Sequence, residues 1–400
     1  MQLIDQIVQF QNELQMVRRD LHAHPELAYE ERRTSDLVAA KLTEWGIPVI
    51  RGMGVTGVVG IIKNGNSERA IGIRADMDAL AIQEANTFAH ASVHEGKMHA
   101  CGHDGHTAML LGAARYLATH RNFDGTVYLI FQPAEEGAGG AKRMIEDGLF
   151  ERCPMDAVFG MHNMPGTPIG TFGVRKGGML ASSNWFDLRI RGRGAHASEP
   201  HKSIDPIMAG MHIAQAWQTI LTRNMNPIQP AVLSVNQIQG GSAYNAIPDE
   251  MTLRGTVRTF TVDALDLIEQ RMRTIVKNAA AAFCAKTDFQ FVRNYPPLVN
   301  HPAETDVALD VMRSIVGIDN VRADMDPLMG AEDFAFMLQE KPGCYVMIGG
   351  GSRNDEVSAS SHGIGPCELH NSGYDFNDEL LPIGATYWVR LVEKFLGLSA

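Results

Sequence analysis

The feature that most restricts the fold of this chain is the alternation of short apolar runs with longer helical patterns between residues 58 and 162. Residues 58–62, 70–74, 126–131 and 157–161 are nearly continuous apolar runs, as expected of strands buried on both faces. Between them, 105–119 and 140–147 read as helices, and two amphipathic patterns, 3–21 and 30–45, precede the first strand, with Gly46 as a stop. Such alternation predicts an α/β layered fold with a mainly parallel sheet flanked by helices. Ligands in such folds sit beyond the carboxyl ends of the strands.

After Gly177-Gly178 the pattern changes. A strand at 185–191, a helix at 205–221, strands at 232–238 and 251–257, a helix at 262–284 and a strand at 288–292 follow in βαββαβ order. This predicts an inserted α+β, ferredoxin-like domain. From Tyr295-Pro296-Pro297 the α/β character returns, with a helix at 305–315, a strand at 344–348 and a helix at 383–396. The expected organisation is one discontinuous domain, 1–181 and 293–400, interrupted by a second, 182–292.

Composition narrows the partners. Among 400 residues, 35 Lys and Arg stand against 46 Asp and Glu, for a net charge of −11, and no segment forms a basic stripe. Nucleic acid and anionic membranes are therefore excluded as expected partners. No apolar stretch approaches the ~20 residues of a membrane-spanning helix. The start of the chain has no basic segment followed by an apolar one, and the five cysteines have no paired spacing. A cytoplasmic location is the expectation.

Four metal-type side chains crowd into His99-Ala-Cys101-Gly-His103-Asp104, directly before an apolar helix. Thiolate and imidazole suit a borderline-soft divalent ion. An isolated Cys-x-His is more often a buried thiol beside helix-start histidines, and Cys101 as a nucleophile with His103 as its base is a further reading. Glu135 and Glu136 follow the strand 126–131, and neighbouring residues leaving a strand point in different directions. One carboxylate can thus bind an ion while the other takes a proton from water. His162 follows the next strand, so three consecutive strand ends carry ligand-type residues. His370 and the acids of Gly330-Ala-Glu332-Asp333-Phe334 are further candidates. Met161, Met164 and Met179 lie near these loops and are candidates for an adaptable apolar pocket, though core filling is their commoner use.

Asp76-Met-Asp78-Ala-Leu80, Ala100-Cys-Gly-His-Asp104, Phe131-Gln-Pro-Ala-Glu-Glu136, Gly192-Arg-Gly-Ala-His-Ala-Ser198 and Gly330-Ala-Glu-Asp-Phe334 resemble, in order, the motifs of the M20 metallopeptidase family. Within it they are similar to the amidohydrolase branch of hippurate hydrolases, N-acyl amino acid aminoacylases and auxin-conjugate hydrolases. The resemblance implies a catalytic α/β domain with an inserted lid or dimerisation domain, and a homodimer or homotetramer joined through that insertion. It implies that Cys101, His103, Glu136, His162 and His370 bind one or two divalent ions, with Glu135 as general base and Asp76 and Asp78 in support. In other branches a His-x-Asp pair and a bridging carboxylate stand where this chain has Asp76-x-Asp78 and Cys101, so zinc, manganese, cobalt and nickel all stay open.

From the insertion, the resemblance implies that His196 stabilises an oxyanion in a partner subunit, and that Asn245 and Arg258 bind the substrate. The implied substrate is an N-acyl or N-aroyl amino acid. Alternatives are an N-acetyl amino acid deacetylase, for instance of N-acetyl-diaminopimelate, a dipeptidase-like activity, a metal-free hydrolase dependent on Cys101, and a non-catalytic metal- or peptide-binding module.

Overall fold

The computed structural model describes residues 1–351 and 367–398. The chain divides into two compact units, one of Met1–Gly177, Val299–Asp326 and Asp333–Ala400, the other of Gly178–Leu298 and Pro327–Glu332.

The first unit is built on an eight-stranded mixed sheet. Its strands run in the order Val49–Met53, Gly57–Asn64, Gly125–Gln132, Ala70–Asp76, Ala157–Met164, Gly343–Gly349, Phe172–Gly173, Val321–Arg322. The four central strands, from Gly125–Gln132 to Gly343–Gly349, are mutually parallel, while Val49–Met53 and Gly57–Asn64 join antiparallel at one edge. Ala70–Asp76 and Gly343–Gly349 are buried along their whole length, which is why they read as unbroken apolar runs.

The helix His103–Thr119 is buried nearly all round, so its sequence carries no polar stripe. It packs on the strand Ala70–Asp76 and against the helices Gln11–Ala23 and Leu380–Phe395. Gly112 permits that closeness: a Cβ there would lie 2.7 Å from Leu14 Cδ1 and 3.0 Å from the Ala385 Cβ. The core continues through Phe159, Phe172, Tyr387 and Trp388, each contributing about 1.5–3 kcal/mol of burial.

The second unit has an antiparallel sheet in the order Ala231–Gly240, Glu250–Thr259, Ser183–Arg191, Lys286–Tyr295, with helices Pro206–Arg223 and Val262–Ala282. The chain order is βαββαβ. Strand residues alternate in burial, and Phe186, Leu188, Ile190, Leu253 and Val257 meet Trp217, Ile268 and Met272 in a core of their own. Asp205 caps the first helix by accepting from Ile207 N at 2.9 Å, and Thr261 caps the second through Ala264 N at 3.2 Å.

Three details differ from the sequence reading. The pattern 3–21 forms two helices, Asp5–Gln9 and Gln11–Ala23, broken at Phe10. The long helix of the second unit stops at Ala282, and Cys284 turns left-handed at φ 57°. The second unit also takes in residues 327–332, because Ala181 N bonds to Leu328 O and Gly330 O, and Leu328 N bonds to Met179 O.

Candidate active site

Parallel strands place their carboxyl ends at one edge of the sheet, and three of them deliver the acidic and imidazole groups. Asp76 ends its strand, Glu135 and Glu136 follow Gln132, and His162 stands near the end of Ala157–Met164. The chain after Asp76 pairs with the stretch before Cys101 through reciprocal bonds between Leu80 and Met98, both 3.0 Å, which brings Cys101 back to the strand ends. Gly102 then turns at φ 92°, and a Cβ there would lie 2.4 Å from Asn163 Oδ1, so only glycine lets His103 start the helix at this position. His370, itself left-handed at φ 64°, is tied in by its N–H to Ala100 O at 2.8 Å.

Cys101, His103 and His162 offer ligand atoms all within 4.8 Å of one another, as do Cys101, Glu136 and His370. The two sets meet at Cys101. His103 Nδ1–H donates to Asp78 O at 2.9 Å, and His162 Nδ1–H donates to Asn163 O at 2.7 Å, so both rings turn Nε2 inward. His162 Nε2 lies 3.3 Å from Cys101 Sγ, and His370 Nε2 lies 3.2 Å from Glu136 Oε1. His103 Nε2 is buried with no hydrogen-bond partner. Leaving such a group unpaired costs ~1–3 kcal/mol, and a cation beside it removes that cost. These residues fit a divalent metal.

The electrostatics agree. Burial, then the charges of Glu136 and Glu135, push the Cys101 thiol well above its ordinary range, although His103 opposes them. A nucleophile and a metal ligand both need the thiolate, and a cation beside Cys101 would offset this cost. Burial pushes His162 down to about 3, with His106 and His103 adding to the effect, which keeps its ring neutral as a ligand must be. Burial opposes ionisation of Glu136, but the bond from His370 and the charge of His103 outweigh it and hold the carboxyl below its usual value.

Behind these groups lies a layer in which the sequence reading named Asp76, Asp78 and Asp333 but not Arg74, Gln132, His106, Asn163 or Tyr374. Arg74, wholly buried, donates to Asp76 Oδ2 at 2.7 Å, Gln132 Oε1 at 2.7 Å and Asp333 Oδ1 at 3.1 Å. Asp333 also accepts from Gln132 Nε2 and from Ala141 N, both at 2.8 Å, and its own N–H reaches Glu135 Oε1 at 3.4 Å. His106 bridges Asp76 Oδ1 at 2.6 Å and Asn163 Oδ1 at 2.7 Å, and Asn163 donates to the Tyr374 hydroxyl at 2.6 Å. Asp78 accepts from Glu136 N at 2.9 Å. The available signal was Arg74 itself, a charge at the end of an otherwise apolar strand.

The remaining candidates belong to the second unit. His196 is exposed on the short strand Ala195–His196, which pairs with Ala246–Ile247, and its Nδ1 meets Ser198 Oγ at 2.7 Å. Asn245 is exposed next to that pairing and accepts from Ala197 N at 2.9 Å. Arg258 lies on Glu250–Thr259 and donates to Met329 O at 3.4 Å. Met161 and Met179 are 2% and 0% exposed, so the flexible-pocket reading fails for both: they are core residues.

Residues 72–394 match the model of peptidase family M20/M25/M40. The chain is 42% identical over 396 residues to hippurate hydrolase of Campylobacter jejuni, covering 99% of this chain and 100% of that one. It is 37% identical over 384 residues to N-acetylcysteine deacetylase of Bacillus subtilis, covering 96% of each. A solved structure of a dinuclear metal-binding peptidase of family M20 from Bacillus subtilis superposes with a TM-score of 0.82 at 35% identity, over 97% of this chain and 99% of that one. The chain belongs to peptidase family M20, and it is a metallo-amidohydrolase.

Proposed function

We propose that this enzyme hydrolyses the amide bond of N-acyl and N-aroyl amino acids of the hippurate type, releasing a carboxylic acid and the free amino acid. The reading is carried by the two ligand sets that share Cys101, with the unpartnered His103 Nε2, beside a second carboxylate, Glu135. Cys101, His103, Glu136, His162 and His370 hold one or two divalent ions. A bound ion polarises the scissile carbonyl and makes water more acidic.

Glu135 takes a proton from the attacking water and returns it to the amine nitrogen as the C–N bond breaks. Asp78 holds His103 and the Glu136 backbone in place, while Asp76 fixes His106 and Arg74. His196, acting from the second unit of a neighbouring copy in a homodimer or homotetramer, donates to the oxyanion; Asn245 and Arg258 hold the substrate carboxylate. In this reading 1–181 and 293–400 form the catalytic domain, and 182–292 a lid and dimerisation domain. All five cysteines are free, which suits a cytoplasmic enzyme. Among the described residues no helix is long and apolar enough to cross a membrane.

The test is release of glycine from benzoylglycine, after chelation and after adding back zinc, manganese, cobalt or nickel. Loss on chelation and recovery with a particular ion is the expected result. A second reading, deacetylation of N-acetyl amino acids, is favoured by the N-acetylcysteine deacetylase relative. Faster release of acetate than of benzoate from matched substrates decides for it.

A further inference from the structure

Glu135 is aimed by a reversal of the chain at Ala134, which takes φ 55° although it is not glycine. A left-handed alanine is unfavourable by roughly 1–2 kcal/mol, so something else must hold it. Ala134 is fully buried, and its N–H donates to Glu31 Oε1 at 2.9 Å. Glu31 is fully buried too, and its other oxygen accepts from the Thr56 hydroxyl at 2.6 Å. Burial lifts this carboxyl to about 7, against the pull of those bonds. A buried acid kept at that cost has a specific use.

The segment that carries Glu31 is itself anchored. Glu26 accepts from Arg33 N at 3.0 Å and from Thr34 N at 2.8 Å, closing the start of the helix Arg32–Glu44, and its carbonyl accepts from Ala79 N at 2.8 Å, just after Asp78. Tyr29 makes a second grip on the same loop, its hydroxyl donating to Ala138 O at 2.9 Å. The loop is thus held on both sides of Glu135 and Glu136 by one rigid piece of chain, residues 26–34. None of these bonds involves a ligand-type side chain.

We propose that Glu31 is a positioning residue: by accepting the Ala134 N–H it holds the left-handed turn that aims Glu135, and so sets the rate of the chemical step without touching substrate. The inference rests on the reading of Glu135 as general base. A misplacement of about 1 Å in a catalytic group can cost ~100-fold in rate. Glu31→Ala is expected to lower kcat by that order, with KM within about twofold and metal content, measured by elemental analysis, retained. Glu31→Gln keeps an acceptor of the same shape and is expected to recover most of kcat. Thr56→Val, which keeps the carboxylate but frees one of its oxygens, is expected to cause a several-fold fall. This variant carries the test if Glu31→Ala does not fold.

A kcat for Glu31→Ala near wild type per metal-loaded site, or a lowered Tm with no change in kcat, overturns the proposal, as does an equal loss in Glu31→Gln and Glu31→Ala. If the wild-type enzyme releases no amino acid from any N-acyl substrate, the functional reading is what fails. The crystal structure of Glu31→Ala then decides this inference alone: Ala134 leaving the left-handed region supports it, and Ala134 and Glu135 unmoved overturn it.

Discussion

Cys101, His103 and Glu135 of the first unit are each less than a tenth exposed, and the groups that fix them come from far along the chain: Asp78 for His103, Asp333 for Glu135, Asn163 for the turn at Gly102. His196 and Asn245 of the second unit are exposed; the His196 ring meets Ser198, two residues on, and Asn245 is held through its backbone carbonyl, which accepts from Ala197 N. A buried polar group must find partners or be costly, so the fold dictates its geometry. An exposed one is satisfied locally, and its use depends on what approaches it. In the proposed function the first set acts within one chain, whereas the second acts on substrate or in a second copy.

The largest effect expected from this contrast is at Glu135. Glu135→Gln should cut turnover by ~1,000-fold with metal content unchanged, read by steady-state kinetics beside elemental analysis. Cys101→Ala should lose metal as well as activity. Equal metal in both variants breaks the distinction between base and ligand.

His196→Ala should lower kcat by about 100-fold, the scale of a lost oxyanion donor, without altering metal content or Tm. Its partner dependence sharpens the comparison: mixing His196→Ala with Glu135→Gln should regenerate activity in mixed oligomers, and no recovery on mixing removes the role in trans. Arg258→Ala should raise KM by about tenfold with a smaller change in kcat, as expected of a group that holds the substrate carboxylate in ground and transition states alike.

The smallest effect is on stability against pH, and it lies beneath the first unit's site. Burial pulls His22 down, but its bonds to Asp104 at 2.8 Å and Glu84 at 3.2 Å, with the charges of Asp104 and Asp375, raise it from 6.5 to about 9. A raised histidine contributes stability that is full below about pH 6.5 and disappears as pH rises through about 9. The wild-type Tm should fall by a few degrees across that window, and His22→Gln should flatten the fall. At the acid end, Asp104 is held at about 2 against burial by the His22 bond and the nearby cations, so its contribution disappears only as pH falls from about 3.8 through 2.

Much of this was legible in order along the chain. The apolar runs at 70–74 and 157–161 became central parallel strands because only strands covered on both faces read that way. The family resemblance implied Cys101, His103, Glu136, His162 and His370 as a ligand set, and the fold brings their ligand atoms together in two groups. The break at Phe10 was not legible, since the apolar spacing of 3–21 runs on through it. Nor were Gln132 and His106, whose residue types are common and whose partners are 58 and 30 residues away.

By itself the sequence determined the layer architecture and the βαββαβ order of the second unit, because periodicity and local turn chemistry are written within a few residues. Only the tertiary structure decided which nitrogen each histidine presents, that Met161 and Met179 are core, and that Arg74, Asp333 and Glu31 stand behind the reactive groups. The physical reason is desolvation: once a polar group leaves water it must be paired, and the partner that folding supplies is fixed by sheet order and not by distance along the chain.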